Sequence, residues 1–158
     1  MTILYDIINL IFIAVYLPVF IFKKKMHPGF SRRFGLYPDD DIFRSPIWIH
    51  AVSVGEMAAM RGFVAALTAY APDKQLVLST VTPTGNKIAA GIARKNDVVT
   101  YLPLDLSGIV NKVIKRVRPG MFIIAETEFW PNLITALARA HVPIVIINGR
   151  ISDKSISG

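Results

Sequence analysis

The chain has 158 residues, a formal net charge of +7 and 53% apolar side chains. That length is enough for one domain with a real core, and the absence of cysteine excludes disulfides and thiolate metal sites. A mean hydropathy of +0.46 predicts a membrane contact or many buried strands, and the basic balance favours anionic partners.

Ile3 to Phe22 is a nearly continuous apolar stretch, ILYDIINLIFIAVYLPVFIF, about the twenty residues that a helix needs to cross a bilayer. Asp6, Asn9 and Pro18 interrupt it. Three membrane readings stand: a spanning helix, a helix embedded in one interface, and a signal peptide. The charge order argues against the last, because no Lys or Arg precedes the stretch and Lys23-Lys24-Lys25 follows it. The same order places the rest of the chain in the cytoplasm. A buried amphipathic helix of a soluble protein is the remaining alternative. Lys23 to Gly35, KKKMHPGFSRRFG, carries five positive charges and no acid. It reads as a segment on anionic head groups, with Arg32 and Arg33 suited to bidentate phosphate contact, or as a solvated linker. Asp39-Asp40-Asp41 reads as an exposed turn after Pro38, without the loop spacing of a calcium site.

From Pro46 onward strand and helix alternate. Strand 47–54 leads to helix 56–70, strand 75–80 to a helix ending near Lys95, strand 98–102 to a helix through Val117, and strand 121–125 to a helix ending at Ala140. Strand 144–147 follows. Strands separated by helices predict an α/β fold: a parallel sheet with helices on both faces. Right-handed crossovers then bring every strand-to-helix turn to one edge. The expected organisation is an anchoring helix with basic flank over 1–25, a connecting segment over 26–45, and a Rossmann-like domain over 46–158.

The turns on that edge carry the chemistry. Strand 47–54 ends in Ser53-Val54-Gly55-Glu56, which fits the capping box S-x-x-E. Glu56 therefore has two readings, a helix cap and a carboxylate at the mouth where open α/β sheets bind ligands. Glu126 and Glu128 follow the fourth strand. If strand geometry continues, they share a face with Thr127 opposite, and such carboxylates serve as general bases or accept hydrogen bonds from sugar hydroxyls. The other reading of Glu128 is that it stabilises the next helix through its dipole. Thr82, Thr84 and Asp105 read as helix caps, Pro131 as a first-turn proline, Trp130 as core or rim, and Asn148-Gly149 as a turn. His50 reads as a satisfied core histidine, and His27 and His141 show no metal-ligand spacing with it. No dinucleotide, P-loop or G-x-S-x-G motif is present. The basic residues lack an aromatic stacking platform, so nucleic acid is not an expected partner.

Taken together in this order, HAVSVGE at 50–56, STVTPTG at 79–85, PLD at 103–105, ETEFWPN at 126–132 and NGRISDKS at 148–155 resemble the 3-deoxy-D-manno-octulosonic acid (Kdo) transferases of lipopolysaccharide synthesis. The apolar N-terminal helix and RRFG add to the likeness, which covers essentially the whole chain. The resemblance implies the N-terminal half of a GT-B glycosyltransferase. It implies inverting transfer of Kdo from CMP-Kdo to a lipid A precursor on the cytoplasmic face of the inner membrane, with no cofactor and no essential metal. It implies Glu56 as general base and Glu126 as a second acid on the acceptor side. Ser53, Gly55, Thr84, Glu128, Arg32, Arg33 and Arg150 are expected around the acceptor. The family's C-terminal donor-binding domain has no counterpart in these residues, which stop at Ile156-Ser157-Gly158. The expectation is an acceptor-binding half that does not transfer Kdo alone. Two alternatives stand: a non-catalytic lipid-surface module, and half of another GT-B glycosyltransferase or of a nucleotide-sugar epimerase.

Overall fold

A computed structural model describes residues 2–22, 29–126 and 128–147, with the side chains of residues 4–15 in the first helix. The β-branched runs form five parallel strands: β1 (Ile47–His50), β2 (Leu76–Thr80), β3 (Val98–Tyr101), β4 (Met121–Ala125) and β5 (Ile144–Ile147), in the order β3-β2-β1-β4-β5. Helices α1 (Thr2–Phe22), α2 (Val54–Tyr70), α3 (Pro83–Ala90), α4 (Ser107–Val117) and α5 (Pro131–Arg139) complete the fold, with a short 3-10 turn at Phe30–Phe34.

Strand alternation divides the core in two. Trp48, Val77, Phe122 and Ile124 point to one face and pack with Val110, Val113, Leu133 and Leu137 of α4 and α5. Ile49, Leu76, Leu78 and Ile123 point to the other and pack with Met57, Met60 and Val64 of α2 and Ala89 of α3. Trp48 and Phe122 meet edge to face at 5.0 Å across the β1–β4 pair. The chain winds outward from β1 to β3, then crosses back to place β4 on the other side of β1. The reversal of winding between β1 and β4 is where ligands bind in open α/β sheets.

Two predicted boundaries are corrected. The first strand ends at His50, not Val54, because the Val52 and Ser53 N–H groups turn to the Glu56 carboxylate instead of a neighbouring strand. Helix α3 ends at Ala90, five residues early, at Gly91.

The transmembrane reading of residues 3–22 is not supported. Among the described residues no helix is long and apolar enough to cross a membrane. α1 is helical, but Asp6 within it is bound to the domain. Its carboxylate accepts from Ser107 N–H at 3.0 Å, from the Ser107 hydroxyl and from Asn132 Nδ2 at 2.7 Å. A carboxylate held in this way belongs to a protein contact, not to the hydrocarbon of a bilayer.

Candidate active site

Ser53 caps α2 as its sequence predicts. Its Oγ accepts from Glu56 N–H at 3.1 Å, and Glu56 Oε2 accepts in return from Ser53 N–H at 3.3 Å and Val52 N–H at 2.8 Å. The second carboxylate oxygen, Oε1, receives no hydrogen bond from the described residues. Glu56 lines a cleft of about 290 Å3 with Met60 and Phe63 of α2, Ala125 and Glu126 at the end of β4, and Ile147 at the end of β5. The capping oxygen and the unbonded oxygen thus belong to one side chain.

Glu126 enters the same cleft through an unusual backbone. Its φ is +69°, in the left-handed region that costs a side-chain-bearing residue about 1–2 kcal/mol. Its N–H donates to Ile147 O at 2.9 Å, closing the β4–β5 ladder. Strand geometry therefore stops at Ala125, and the expectation that Glu126 and Glu128 share a strand face is overturned. Thr127 lies outside the described residues. Electrostatics still joins the three acids. Burial pushes the Glu128 carboxyl above the usual range, repulsion from Glu56 and Glu126 adds to it, and the Trp130 side chain offsets part of the rise.

His50 at the end of β1 is fully buried. Its Nδ1 lies 3.0 Å from Ser79 O and 2.9 Å from Ser79 Oγ, and Oγ also accepts from Trp48 Nε1 at 2.7 Å. Burial pushes its pKa down to about 4, against the opposing effects of the Ser79 hydrogen bond and the Glu56 charge. It is therefore neutral at pH 7.

The remaining expectations divide. Thr82, not Thr84, caps α3: its Oγ1 accepts from Gly85 N–H at 3.1 Å, and a Cβ on Gly85 would come within 3.1 Å of that oxygen. Thr84 and Gly55 lie exposed on the strand-end edge, and nothing beyond Ser53 Oγ crowds Gly55. Arg32 is committed to the scaffold, with Nη1 donating to Val99 O at 2.7 Å and Nη2 paired with Asp41 at 3.0 Å. Asp41 is accordingly not an exposed turn residue. Arg33 faces a different cavity from Glu56, on the α1 side of the same edge. Arg150, Asn148, Gly149, His27 and Lys23–Lys25 lie outside the described residues.

Asp105 is a cap, but of a distant helix. Its Oδ2 and Oδ1 accept from the N–H groups of Asn132 (3.2 Å) and Leu133 (2.8 Å) in α5, while α4 starts after Leu106 with no side-chain cap. Asn132 is the residue that sequence reasoning missed. It is buried, and its Nδ2 donates to both Asp105 O (2.7 Å) and Asp6. An amide inside an apolar helix face was the available signal.

A second cavity, about 730 Å3, opens at the opposite edge of the sheet beside Arg94 and Asp97. Its charges are spent on structure: Arg94 binds Asp97 and the carbonyls of Pro72 and Lys74. Among the described residues no group of three His, Asp or Glu side chains is placed to hold a metal ion.

A family model described as 3-deoxy-D-manno-octulosonic-acid transferase (kdotransferase) matches residues 28–158. The chain is 39% identical over 109 residues to a 3-deoxy-D-manno-octulosonic acid transferase of Haemophilus influenzae, covering 69% of this chain and 26% of that protein. It is 30% identical over 160 residues to the enzyme of the same name from Chlamydophila psittaci, covering 98% of this chain and 37% of that protein. A bifunctional glycosyltransferase/methyltransferase of Fusobacterium nucleatum is 30% identical over 154 residues, 96% of this chain and 24% of that protein. The chain thus spans between a quarter and two fifths of the length of these relatives.

Proposed function

Because the chain belongs to the 3-deoxy-D-manno-octulosonic acid (Kdo) transferase family, we propose that it forms the acceptor-binding half of an inverting GT-B glycosyltransferase. The donor is CMP-Kdo and the acceptor is a lipid A precursor in lipopolysaccharide synthesis. Glu56 is the general base. Its Oε1 removes the proton of the acceptor hydroxyl as that oxygen attacks the anomeric carbon of Kdo, and the bond from that carbon to the CMP phosphate breaks. Glu126, in the same cleft, and Glu128, which feels the charges of both acids, hold acceptor hydroxyls. The further length of the relatives supports a second domain that carries the donor, without which this half does not transfer.

The observation that carries this reading is the division of labour within Glu56. Two backbone N–H groups fix Oε2, which leaves Oε1 without a hydrogen bond from the described residues on a side chain that lines a cleft at the reversal of the sheet. The test is Glu56→Gln in the enzyme carrying both domains. The amide oxygen of Gln still accepts from Val52 and Ser53, so folding should persist. Loss of the base should lower Kdo transfer by about 10²–10⁴-fold. Full activity in the Gln variant would return Glu56 to a helix cap.

The reading places the domain on the cytoplasmic face of the inner membrane. Exposed Leu4, Ile8, Ile11 and Val15 on α1 support a lipid-facing stripe at helical spacing. That stripe also favours the second reading, a lipid-surface module without chemistry, which predicts unchanged membrane binding and no transfer in any context.

A further inference from the structure

Arg33 is half-buried and has no acidic partner among the described residues. Its Nε donates to Leu102 O at 3.3 Å, and its backbone carbonyl accepts from Leu104 N–H at 2.8 Å. These bonds hold the 3-10 turn against the β3–α4 connection. They leave Nη1 and Nη2 without a hydrogen-bond acceptor among the described residues. Burial pushes the guanidinium below its ordinary value, with the charge interaction of Tyr101 opposing, and an arginine side chain does not lose its proton in a protein. A cation withdrawn from water without a counter-charge costs free energy that an anion would relieve.

The cavity beside it is mainly apolar, with Tyr5, Asn9 and Asp105 as its other polar lining, and the Asp105 carboxylate is already engaged by the N–H groups of Asn132 and Leu133. It has a volume of about 270 Å3 between α1, the 3-10 turn and the β3–α4 connection, and Phe12, Ile13, Phe34, Leu104 and Trp130 form its walls. Trp130 also meets the buried ring of His50 edge to face at 6.3 Å, and His50 senses the charges of both Glu56 and Arg33. A cavity slightly below the usual size of a complete small-molecule site, about 300 Å3 upward, suits one hydrocarbon chain. A planar cation at its margin suits bidentate contact with a phosphate.

We infer that this cavity receives one hydrocarbon chain of a phosphorylated lipid, with Arg33 binding the phosphate. The inference rests on the acceptor reading above when it takes that lipid to be the acceptor, and it assigns the chain a seat under α1, in a cavity separate from the one Glu56 lines. α1 is then part of the binding site as well as a contact with the membrane.

Trp130 supplies the test, because the other tryptophan, Trp48, is fully buried in the core. The 158-residue chain would be titrated with bromododecyl phosphate below its micelle concentration, reading tryptophan quenching, with bromododecyl maltoside and inorganic phosphate as comparison probes. The expected result is saturable quenching by the phosphate amphiphile, at least tenfold tighter than the maltoside. Inorganic phosphate should not displace it at equal concentration. Arg33→Gln should lose that tenfold preference and Arg33→Lys should keep most of it. Ile13→Trp, which fills the cavity, should abolish binding of both amphiphiles as followed by equilibrium dialysis. Equal affinity for the two amphiphiles, full displacement by inorganic phosphate, or no saturable quenching would each overturn the inference. None of these outcomes depends on Kdo transfer, so failure here leaves the Glu56 test untouched.

Discussion

The helices on the two faces of the sheet begin in different ways. On one face α2 and α3 are capped from within their own turns, by Ser53 and Thr82. On the other, α4 and α5 follow Leu106 and Trp130, which give no side-chain cap, and take their caps from Asp6 and Asp105. A local cap satisfies the orphan N–H groups of one helix. A remote cap does that and also fixes the position of one element against another. The first face therefore offers its carboxylate from a self-contained turn, while the second is a network that joins α1, the β3–α4 connection and α5.

Removing a remote cap should cost more than removing a local one. Asp105→Ala strips two N–H bonds from a buried carboxylate and should destabilise the fold by about 3 kcal/mol. Ser53→Ala removes an exposed cap and should cost about 1 kcal/mol. Urea midpoints of the two variants, measured side by side, give the order, and equal losses would erase the distinction between the faces.

The turn after β4 belongs to neither kind, since a left-handed residue and not a cap shapes it. Glu126→Gly should therefore be more stable than Glu126→Ala by about 1 kcal/mol. Thermal unfolding of the pair checks this, and a more stable Ala variant would place the turn's strain elsewhere.

The smallest effects separate the two remote caps by sign. Burial raises the Asp6 carboxyl, but bonds from Ser107 and Asn132 outweigh it and hold it below the ordinary 3.8. Its contribution is complete above 3.8 and is lost as pH falls through the lower folded value. At Asp105 burial prevails over the N–H bonds of Leu133 and Asn132, and the carboxyl is raised. The folded protein then takes up that proton before the unfolded chain does, so stability rises as pH falls through the raised value. Unfolding between about pH 6 and pH 3 should show Asp6→Asn removing an acid-side loss and Asp105→Asn removing a gain. Slopes of the same sign for both would contradict this division.

Much of the fold was legible because β-branched runs and turn residues alternate cleanly, and β2, β4 and β5 fall within a residue of their predicted bounds. The capping box was legible for the same reason, since all its partners lie within four residues. What escaped were partners far apart in sequence. Asp105 stands directly before α4 and looks like its cap, yet its acceptors face α5 across a gap of 27 and 28 residues. Asp6 looks like a blemish in a membrane span until Ser107 and Asn132 arrive beside it. The positive φ of Glu126 leaves no mark in sequence, because glutamate has no preference for that conformation.

The bond from Asn132 to Asp6 spans 126 residues, and it sets a schedule for synthesis. At roughly 5–20 residues per second, on the order of ten seconds pass between emergence of α1 from the ribosome and emergence of the amide that clamps it. Throughout that delay the apolar helix has no protein surface of its own to cover it. A bilayer or a chaperone reached first would hold the nascent chain by this helix, and the domain would close onto a helix already delivered.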